Sequence, residues 1–485
     1  MEVKQLNSTS ASCFLPTANN NTMKTQILLL ALLISNISNA QDMLGLSNGN
    51  YAGNAGMAMN PTSMVLMPYK WEVSLVSFNI SLENNYLGLP RNKIIGRTEA
   101  NSFEPLGGLK EFYSSSSKAA NLHLGVGLPS FIYRFNDMAI GFHMTIRNDF
   151  SAHNLPGDLL KIAASQNKTT YLLGKNISVD GLRAGDLTWL ETGISFGKQL
   201  SKSETRKWLA AGTFKYLTAF QGSYLGISKG TFVAPSDSTV ALTSLKGSFD
   251  YSYVNDPVDA IKFRCSGIGF DIGLTYVSNP FVQKYSQGRP IAMKKYDYRL
   301  GISLIDLGFV NFNNNAHSYD VNIDRISLDN QSQSANQGNI DSLIYNSAMN
   351  GTTIGKSFLM TLPTGLSAQY DLCLKPRWYF NVTAIQRVPM PSPRIDRPNM
   401  IAATIRYETP FFEIGLPYSF YDYYRHRIGV AMRYHIFYMG SDKLGTFIGT
   451  KDITGIDFYF GFKLTEFEFR KKVKTGKHVG CAAYY

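Results

Sequence analysis

The chain carries long runs in which every second residue is apolar, and this alternation constrains its fold more than any other feature. From 138 to 147, Met138, Ile140 and Phe142 alternate with small or polar residues. Successive side chains of a β-strand point to opposite faces, so the pattern predicts strands with one apolar and one polar face. The same period of two recurs at 121–128, 269–276, 298–304, 358–372, 427–438 and 458–465.

The length of these runs distinguishes two kinds of β-protein. They extend over about 9–13 residues, as a tilted strand needs to cross a bilayer, whereas most strands of soluble proteins have about 5–6. The polar faces consist mainly of Gly, Ser, Thr, Asn and single charges, which suit a crowded or wet lumen. Because an open sheet edge cannot face lipid, we predict an all-β fold, a closed transmembrane antiparallel β-barrel. A soluble exported β-sandwich is the alternative.

The alternating runs predict about 14 strands, give or take two, with an N-terminal plug or hatch segment. Short turns alternate with long connections along the chain, which is typical of outer-membrane barrels and would place both termini in the periplasm. A hairpin within 229–254 could add to the count, and 157–164 has helical spacing. The predicted strands are 72–82, 120–133, 138–148, 188–200, 207–218, 267–279, 295–306, 357–372, 377–389, 398–408, 411–421, 427–438, 444–449 and 455–469.

The first 40 residues have the pattern of a non-mature leader. A basic start at Met23 and Lys24 precedes the apolar block 27–34, and Ser38-Asn39-Ala40 offers a cleavage site. We therefore predict a secretory signal peptide within 1–40, with translation starting at Met23; an N-terminal anchor is the alternative. Beyond residue 40 no apolar stretch approaches the ~20 residues of a membrane helix. The predicted organisation is then 41–70 as a hatch segment, 71–469 as the barrel and 470–485 as a basic tail.

Composition excludes several classes of function. Four cysteines in 485 residues do not form a disulfide framework, and no spaced Cys/His set or phosphate-binding loop is present. We therefore expect no metal and no cofactor. The net charge of +12 does not indicate nucleic acid, because an exported barrel does not meet any; the expected partners are outer-membrane lipids and lipopolysaccharide, and a secretion or surface protein.

The sequence contains one match to a catalytic motif, but the match lacks the structural context that the motif requires. Gly193-Ile194-Ser195-Phe196-Gly197 matches the nucleophile elbow, in which a serine sits on a sharp strand-to-helix turn. In this chain the motif lies inside an alternating strand, so we predict that the chain is not an enzyme.

Several charged residues share the phase of the polar face. Since charges facing lipid are costly, the phase predicts that they line the lumen. They could form an anion-favouring aqueous route or an ion-pair network that fills the barrel. These lumen-lining candidates are His143, Arg147, Glu191, Asp271, Arg299, Asp371, Arg406, Arg433, His435 and Lys463.

The segment before the first strand is rich in small residues and ends in Asn-Pro. Gly53 and Gly56 allow close packing inside a lumen, and Asn60-Pro61 favours an extended or turn geometry. These residues are the hatch candidates, with a flexible periplasmic leader as the alternative.

The segment from Leu46 to Ser63 resembles the N-terminal hatch of the FadL and PorV group of barrels. Together with the motifs at 300–308, 362–366 and 440–445, it is similar to outer-membrane barrels of type IX-secreting, Bacteroidota-type bacteria, and more distantly to the PorP/SprF proteins. The resemblance implies a channel or transporter for small or hydrophobic solutes, or a non-conducting barrel that serves as a docking or accessory subunit of a secretion or gliding complex. Thr62 departs from the alanine that is common after Asn-Pro, and no fatty-acid pocket is recognisable.

Overall fold

The chain forms a closed antiparallel β-barrel in a computed structural model. The structure describes residues 42–90, 109–164, 174–201, 203, 205–233, 239–252, 265–280, 285–286, 289–290, 295–329, 353–448 and 452–466. The predicted leader 1–40 and tail 470–485 lie outside these residues.

The described residues form a few short helices and a long series of β-strands. The helices are α1 (Asn54–Met57), α2 (Ser63–Leu66), α3 (Gly157–Ala164) and α4 (Gly445–Ile448). The strands are β1 (Trp71–Asn84), β2 (Leu87–Gly88), β3 (Lys110–Glu111), β4 (Ser117–Gly127), β5 (Ser130–Phe135), β6 (Met138–Pro156), β7 (Asn176–Gln199), β8 (Arg206–Val233), β9 (Thr239–Ser252), β10 (Cys265–Ser278), β11 (Tyr285–Ser286), β12 (Arg289–Pro290), β13 (Tyr298–Phe312), β14 (Ala316–Asp329), β15 (Thr353–Gly355), β16 (Phe358–Thr361), β17 (Gly365–Lys375), β18 (Trp378–Arg387), β19 (Met400–Glu408), β20 (Phe412–Tyr421), β21 (Arg425–Ile428), β22 (Val430–Tyr434), β23 (Phe437–Ser441) and β24 (Gly455–Thr465).

The barrel closes because β1 pairs on one side with β24 and on the other with β4 and β5. Some wall strands consist of two or three consecutive segments that lie end to end and count as one strand. These are β4 with β5, β9 with β10, β13 with β14, β15 and β16 with β17, and β21 with β22. Counted in this way, the described residues form the 14-strand antiparallel barrel that the alternation predicts. The hairpins β2–β3 and β11–β12 form separate two-stranded sheets.

One side of the wall is much taller than the rest. β7 has 24 residues and β8 has 28, more than a bilayer requires. The lower part of β8 pairs with β10, and its upper part pairs with β9, which in turn pairs with β14. This extension of the wall follows directly from the length of these strands.

The outer surface carries large apolar side chains in the phase that the sequence predicts. Ile194 is 64% exposed, Ile272 61% and Ile428 63%, in an isolated chain. Such a continuous apolar exterior around a polar interior is the pattern of a barrel embedded in lipid.

The structure corrects the sequence-based strand list in several places. The predicted strand 444–449 is wrong: Gly445–Ile448 is the helix α4, and the strand of this hairpin is β23. The predicted single strand 427–438 contains a turn at His435, whose φ of 49° reverses the chain before β23. Residues 219–266 and 307–356, predicted as connections, contain long stretches of β8, β9, β13 and β14, because these strands continue beyond the bilayer length assumed for them.

Helices contribute little to the described structure. α3 occupies the segment whose spacing predicts a helix, and α1 and α2 have four residues each. None of the helices within the described ranges has the length and hydropathy of a membrane span.

Candidate functional site: a sealed polar lumen

The segment 42–69 is packed inside the barrel against inward-facing side chains of distant strands. The Asn50 amide donates to Glu408 at 2.7 Å, and the backbone N–H of Leu44 donates to Asp442 at 3.0 Å. Ser303 donates to the carbonyl of Met59 at 2.6 Å. These contacts reach β19, β13 and the end of β23, so the segment crosses the lumen.

The hatch candidates take part in this packing. Gly53 has a φ of 57°, and Asn60 donates to Gln369 at 3.0 Å while accepting from the backbone and hydroxyl of Thr62. A Cβ added to Gly56 would lie 2.8 Å from the carbonyl oxygen of Ser47. Pro61 is buried beside Asn60, where a Cβ on Gly273 would approach both residues. Thr62, where the resemblance leads one to expect alanine, uses its hydroxyl to hold Asn60.

Part of the segment itself forms an apolar floor against the wall. Met57, Met64 and Tyr69 are at most 5% exposed and pack with buried residues of the wall such as Ile132 and Leu209. Burial of large side chains of this kind typically stabilises by about 1.5–3 kcal/mol each. Most of the segment is therefore part of the barrel core.

A second segment, 388–399, enters the lumen from the connection between β18 and β19. Ile395, Asp396 and Arg397 are each at most 4% exposed. Asp396 accepts from Arg183 at 3.0 Å and from Arg394 at 2.9 Å. Although burial alone raises the pKa of Asp396, the neighbouring guanidinium groups, Arg387 first among them, bring it below its usual value. The carboxylate therefore stays ionised and ties the segment to β7.

The interior charges form a dense cluster around Asp306. Arg147 donates to both oxygens of this carboxylate at 2.9 and 3.1 Å, Lys215 donates at 2.7 Å and Arg397 at 3.0 Å. Lys215 also lies 2.8 Å from Asp271. His143 pairs with Glu191 at 3.1 Å, and Glu191 also lies 3.3 Å from Arg147. Each cation is thus matched by carboxylates, as buried charges require.

A second cluster follows the wall formed by β13, β17 and β19. Asp371 accepts from Arg299 at 2.6 Å and from Arg406 at 3.1 Å, and Arg406 also donates to Glu408 at 2.8 Å. Farther round the wall, Arg433 pairs with Glu413 at 3.1 Å and Lys463 with Glu72 at 3.2 Å. Tyr51 lies between two cations, 3.9 Å from Lys295 Nζ and 4.8 Å from Arg433. Burial lowers the pKa of Lys295, which precedes β13, to about 8.

Nine of the ten predicted lumen residues lie on the inner face, and one does not. His435 is exposed in the turn between β22 and β23, with its ring 4.8 Å from that of Phe411. The prediction extends the alternation of 427–434 through a residue at which the chain reverses. The inner-face residues are His143, Arg147, Glu191, Asp271, Arg299, Asp371, Arg406, Arg433 and Lys463, and each is at most 9% exposed.

Sequence reasoning missed three central residues. Lys215 has the inward phase of β8, between Phe214 and Tyr216 on the outer face, so the alternation could have identified it. Asp306 has a φ of 55° at an irregularity in the pairing of β13, where alternation stops being informative. Arg397 lies outside the strands; the only signal is the proline-rich run from Val388 to Pro398.

The two interior segments meet at one ion pair. Arg397 donates through Nη1 to Asp306 and through Nη2 to Asp42, each at 3.0 Å. Beside this contact is a cavity of about 110 Å³, lined by residues of the segment 42–58, by the charges around Asp306 and by Arg397. The contact and the cavity together form the candidate site.

The structure places the serine of the nucleophile-elbow motif inside a strand. Ser195 lies within β7, where its hydroxyl shares a 2.8 Å hydrogen bond with Thr213, and it does not occupy a strand-to-helix turn. Among the described residues no group of His, Cys, Asp and Glu is arranged to hold a metal ion.

Comparison with protein families shows which family the chain belongs to. It belongs to the family of unknown function DUF5723, which matches residues 64–442. A search of curated proteins gave no significant match. The matched range covers most of the barrel wall and includes the segment 388–399.

Among solved structures, the chain is similar to several barrels. A TodX deltaS2S3 mutant, described as a monoaromatic hydrocarbon channel, has 11% identity and a TM-score of 0.43, over 88% of this chain and 99% of that one. The toluene transporter TbuX of Ralstonia pickettii has 11% identity and a TM-score of 0.39, over 86% and 94%. A FadL homologue of Pseudomonas aeruginosa has 10% identity and a TM-score of 0.25, over 88% and 97%. Identities of 10–11% and TM-scores of 0.25–0.43 carry no conclusion about the function of this chain.

Proposed function

We propose that this protein is an outer-membrane channel for small solutes, which the structure captures in a closed state. The observation that carries the proposal is the contact between the two interior segments, where Arg397 joins Asp42 to Asp306 beside a polar cavity. A barrel that served only as a membrane anchor would not need two separate segments that converge on one ion pair.

The interior favours small polar solutes over the other classes that the sequence suggested. The paired clusters leave no cationic excess around Asp306, which argues against an anion-selective route. A hydrophobic solute would have to displace buried ion pairs along the axis, which is costly. An external cavity of about 590 Å³ provides an entrance, where polar side chains such as Lys246 and Ser248 lie beside apolar ones such as Leu182, Ile227 and Val321. The Tyr224 hydroxyl donates to Ser392 of the second segment, 388–399, at 3.0 Å.

The contact between Asp42 and Arg397 is the element most suited to act as a gate. The side chain of Asp42 is 12% exposed, while that of Arg397 is 3% exposed. Loss of this pair would separate the two segments and leave Arg397 bound to Asp306. The lower part of the hatch segment, held by the apolar floor, would stay in place.

The substitution Asp42→Asn tests the gate. It removes the charge that attracts Arg397, so we expect the open probability in planar bilayers to increase several-fold. The matched control is Asp452→Asn, which removes the exposed partner of Lys110, 2.7 Å away, and leaves the lumen intact. Equal, near-zero currents from both variants would contradict the proposed gate.

The same proposal includes location and processing. The leader 1–40 would be removed during export, both termini would face the periplasm, and outer-membrane lipids and lipopolysaccharide would contact the apolar exterior and its rim. An origin in type IX-secreting bacteria rests on the sequence resemblance alone. Cell fractionation and N-terminal sequencing of the mature protein test these statements, and a membrane-retained Met23 terminus would contradict cleavage.

A docking or accessory subunit is the second candidate, favoured by the tall wall of β7, β8, β9 and β14. On the upper part of this wall the rings of Phe249, Tyr251 and Tyr319 stack, with centroids 5.0 to 6.5 Å apart. If neither the intact protein nor Asp42→Asn conducts, while the intact protein co-purifies with one secreted or surface protein, the docking function is supported instead.

A further inference from the structure

One strip of the barrel wall carries buried polar atoms with no hydrogen-bond partner. Neither amide atom of Asn79 or Asn121 is bonded within the described structure, although the two residues are 0% and 4% exposed. The Nε2 atom of His123 and the Nδ1 atom of His143 are likewise unpartnered. A buried polar group without a hydrogen-bond partner is destabilising, so a series of such groups in one place requires an explanation.

These residues lie side by side on the inner face of β1, β4 and β6. The pairing register aligns Asn79 with Gly125 and Arg147, and Glu83 with Asn121 and Ser151. Between these rows, Ser81 aligns with His123 and Asp149. The alignment gives a continuous polar strip, which we call the amide strip and define by Ser77, Asn79, Ser81, Asn121, His123 and Thr145.

The two ends of the amide strip line different cavities. At its lower end Ser77 and Thr145 line the central cavity of about 110 Å³. At its upper end Asn121 and His123 line a small cavity of about 10 Å³ beneath Ile395 and Asp396. Arg397, the residue proposed to hold the gate, lines both cavities.

We propose that the amide strip is the route by which solutes pass the two interior segments, and that it takes small, neutral, hydrogen-bonding molecules of the size of urea or glycerol. This inference rests on the proposed channel function and names its solute class. Amide groups offer donors and acceptors without net charge, which suits neutral polar molecules. The central cavity of about 110 Å³ is small, so solutes larger than these are excluded unless the segments move.

Thiol labelling tests the route independently of conduction. In the full-length protein with its native cysteines changed to alanine, Asn79→Cys and Asn121→Cys are exposed to iodoacetamide, a small neutral reagent. The matched control is Asn381→Cys on β18, because Asn381 is 1% exposed and donates to the Tyr370 carbonyl at 3.1 Å. We expect both strip variants to be modified at least ~10-fold faster than the control, since thiol reactivity depends on access.

Two results would overturn the inference. If both strip cysteines react as slowly as Asn381→Cys, the strip is dry; if only one of them reacts, the strip is not continuous. Folding of each variant is checked by its heat-dependent mobility on gels, and Ser77→Cys and Ser81→Cys replace a variant that fails to fold.

Liposome swelling then separates this inference from the proposed function. The double variant Asn79→Leu/Asn121→Leu, combined with Asp42→Asn, should lose most of the urea and glycerol permeability of Asp42→Asn alone. Unchanged permeability would place the route elsewhere and leave the channel function intact. If the strip cysteines react but Asp42→Asn admits no solute, the strip is hydrated and the channel function fails.

Discussion

At the scale of single residues, Asp306 is the acceptor on which three cations converge. Its carboxylate binds Arg147, Lys215 and Arg397 while being 4% exposed. Removing one member of a buried ion-pair network leaves the others without compensation, which typically costs about 3–5 kcal/mol.

The variant Asp306→Asn should therefore lower the midpoint of unfolding in urea, measured by the mobility shift of the folded barrel. Exposed ion pairs contribute only about 0–1 kcal/mol, so Asp452→Asn should change the midpoint little. Equal midpoints for the two variants would show that the cluster contributes no stability.

Lys295 gives a prediction about pH. Burial brings its pKa down to about 8 in the folded protein, against 10.5 for a free lysine. The unfolded chain thus binds more protons between these values, and stability should rise as the pH increases from about 8 to 10.5. Lys295→Met should lack this contribution; a rise of the same size in the variant would assign it to other groups.

Individual residues also show which positions in the lumen the sequence could predict and which it could not. Alternation decides which face of a regular strand a side chain occupies, and it assigns His143, Arg147 and Glu191 to the polar face; the structure buries all three. Alternation failed at His435 and Asp306, where the backbone leaves the regular strand conformation. Ion partners such as Arg397 and Asp306, 91 residues apart in sequence, come together through closure of the barrel, which local patterns do not encode.

At the scale of elements, the hatch segment and the wall touch at glycines. A Cβ on Gly415 of β20 would lie 2.2 Å from the carbonyl oxygen of Gly45, and one on Gly45 would lie 2.4 Å from the Ala431 Cβ. Neither the wall nor the segment can yield without moving its backbone. Small residues are therefore required on both sides of this contact.

Gly415→Ala should displace residues near Gly45 and destabilise the protein by about 1–3 kcal/mol, as overpacking commonly does. Proteolysis within 42–69 should become faster, as followed by mass spectrometry. The control is Gly212→Ala, where the added Cβ would lie 3.5 Å from the nearest atom, the Asp271 carbonyl oxygen. Equal cleavage of both variants would contradict the close contact.

Strand prediction succeeds where lipid imposes the pattern and fails where it does not. The apolar exterior requires alternation in β1, β6 and β10, so the sequence locates them. Above the bilayer the constraint disappears, and the sequence pattern therefore predicts loops where the upper parts of β8 and β14 lie. In the short hairpin of β22 and β23 the alternation of 427–438 continues through the turn at His435, so it does not reveal where the chain reverses.

At the scale of the whole molecule, the barrel and its contents form one folding unit. The strand order closes through β1 and β24, while the interior is occupied by a segment that precedes the first strand and one that joins β18 to β19. Closure and lipid exposure follow from the alternation in the sequence. Occupation of the lumen follows from small residues before β1 and from prolines after β18, of which sequence reasoning recognised only the first.

The most direct test of this account is the current through planar bilayers containing the protein with and without residues 42–69, each verified as a folded barrel by its gel mobility. We predict that the intact protein stays closed almost all the time, and that the truncated barrel carries a persistent current. An intact protein that conducts as strongly as the truncated one, or a folded truncated barrel that carries no current, would contradict a lumen closed by its own N-terminal segment.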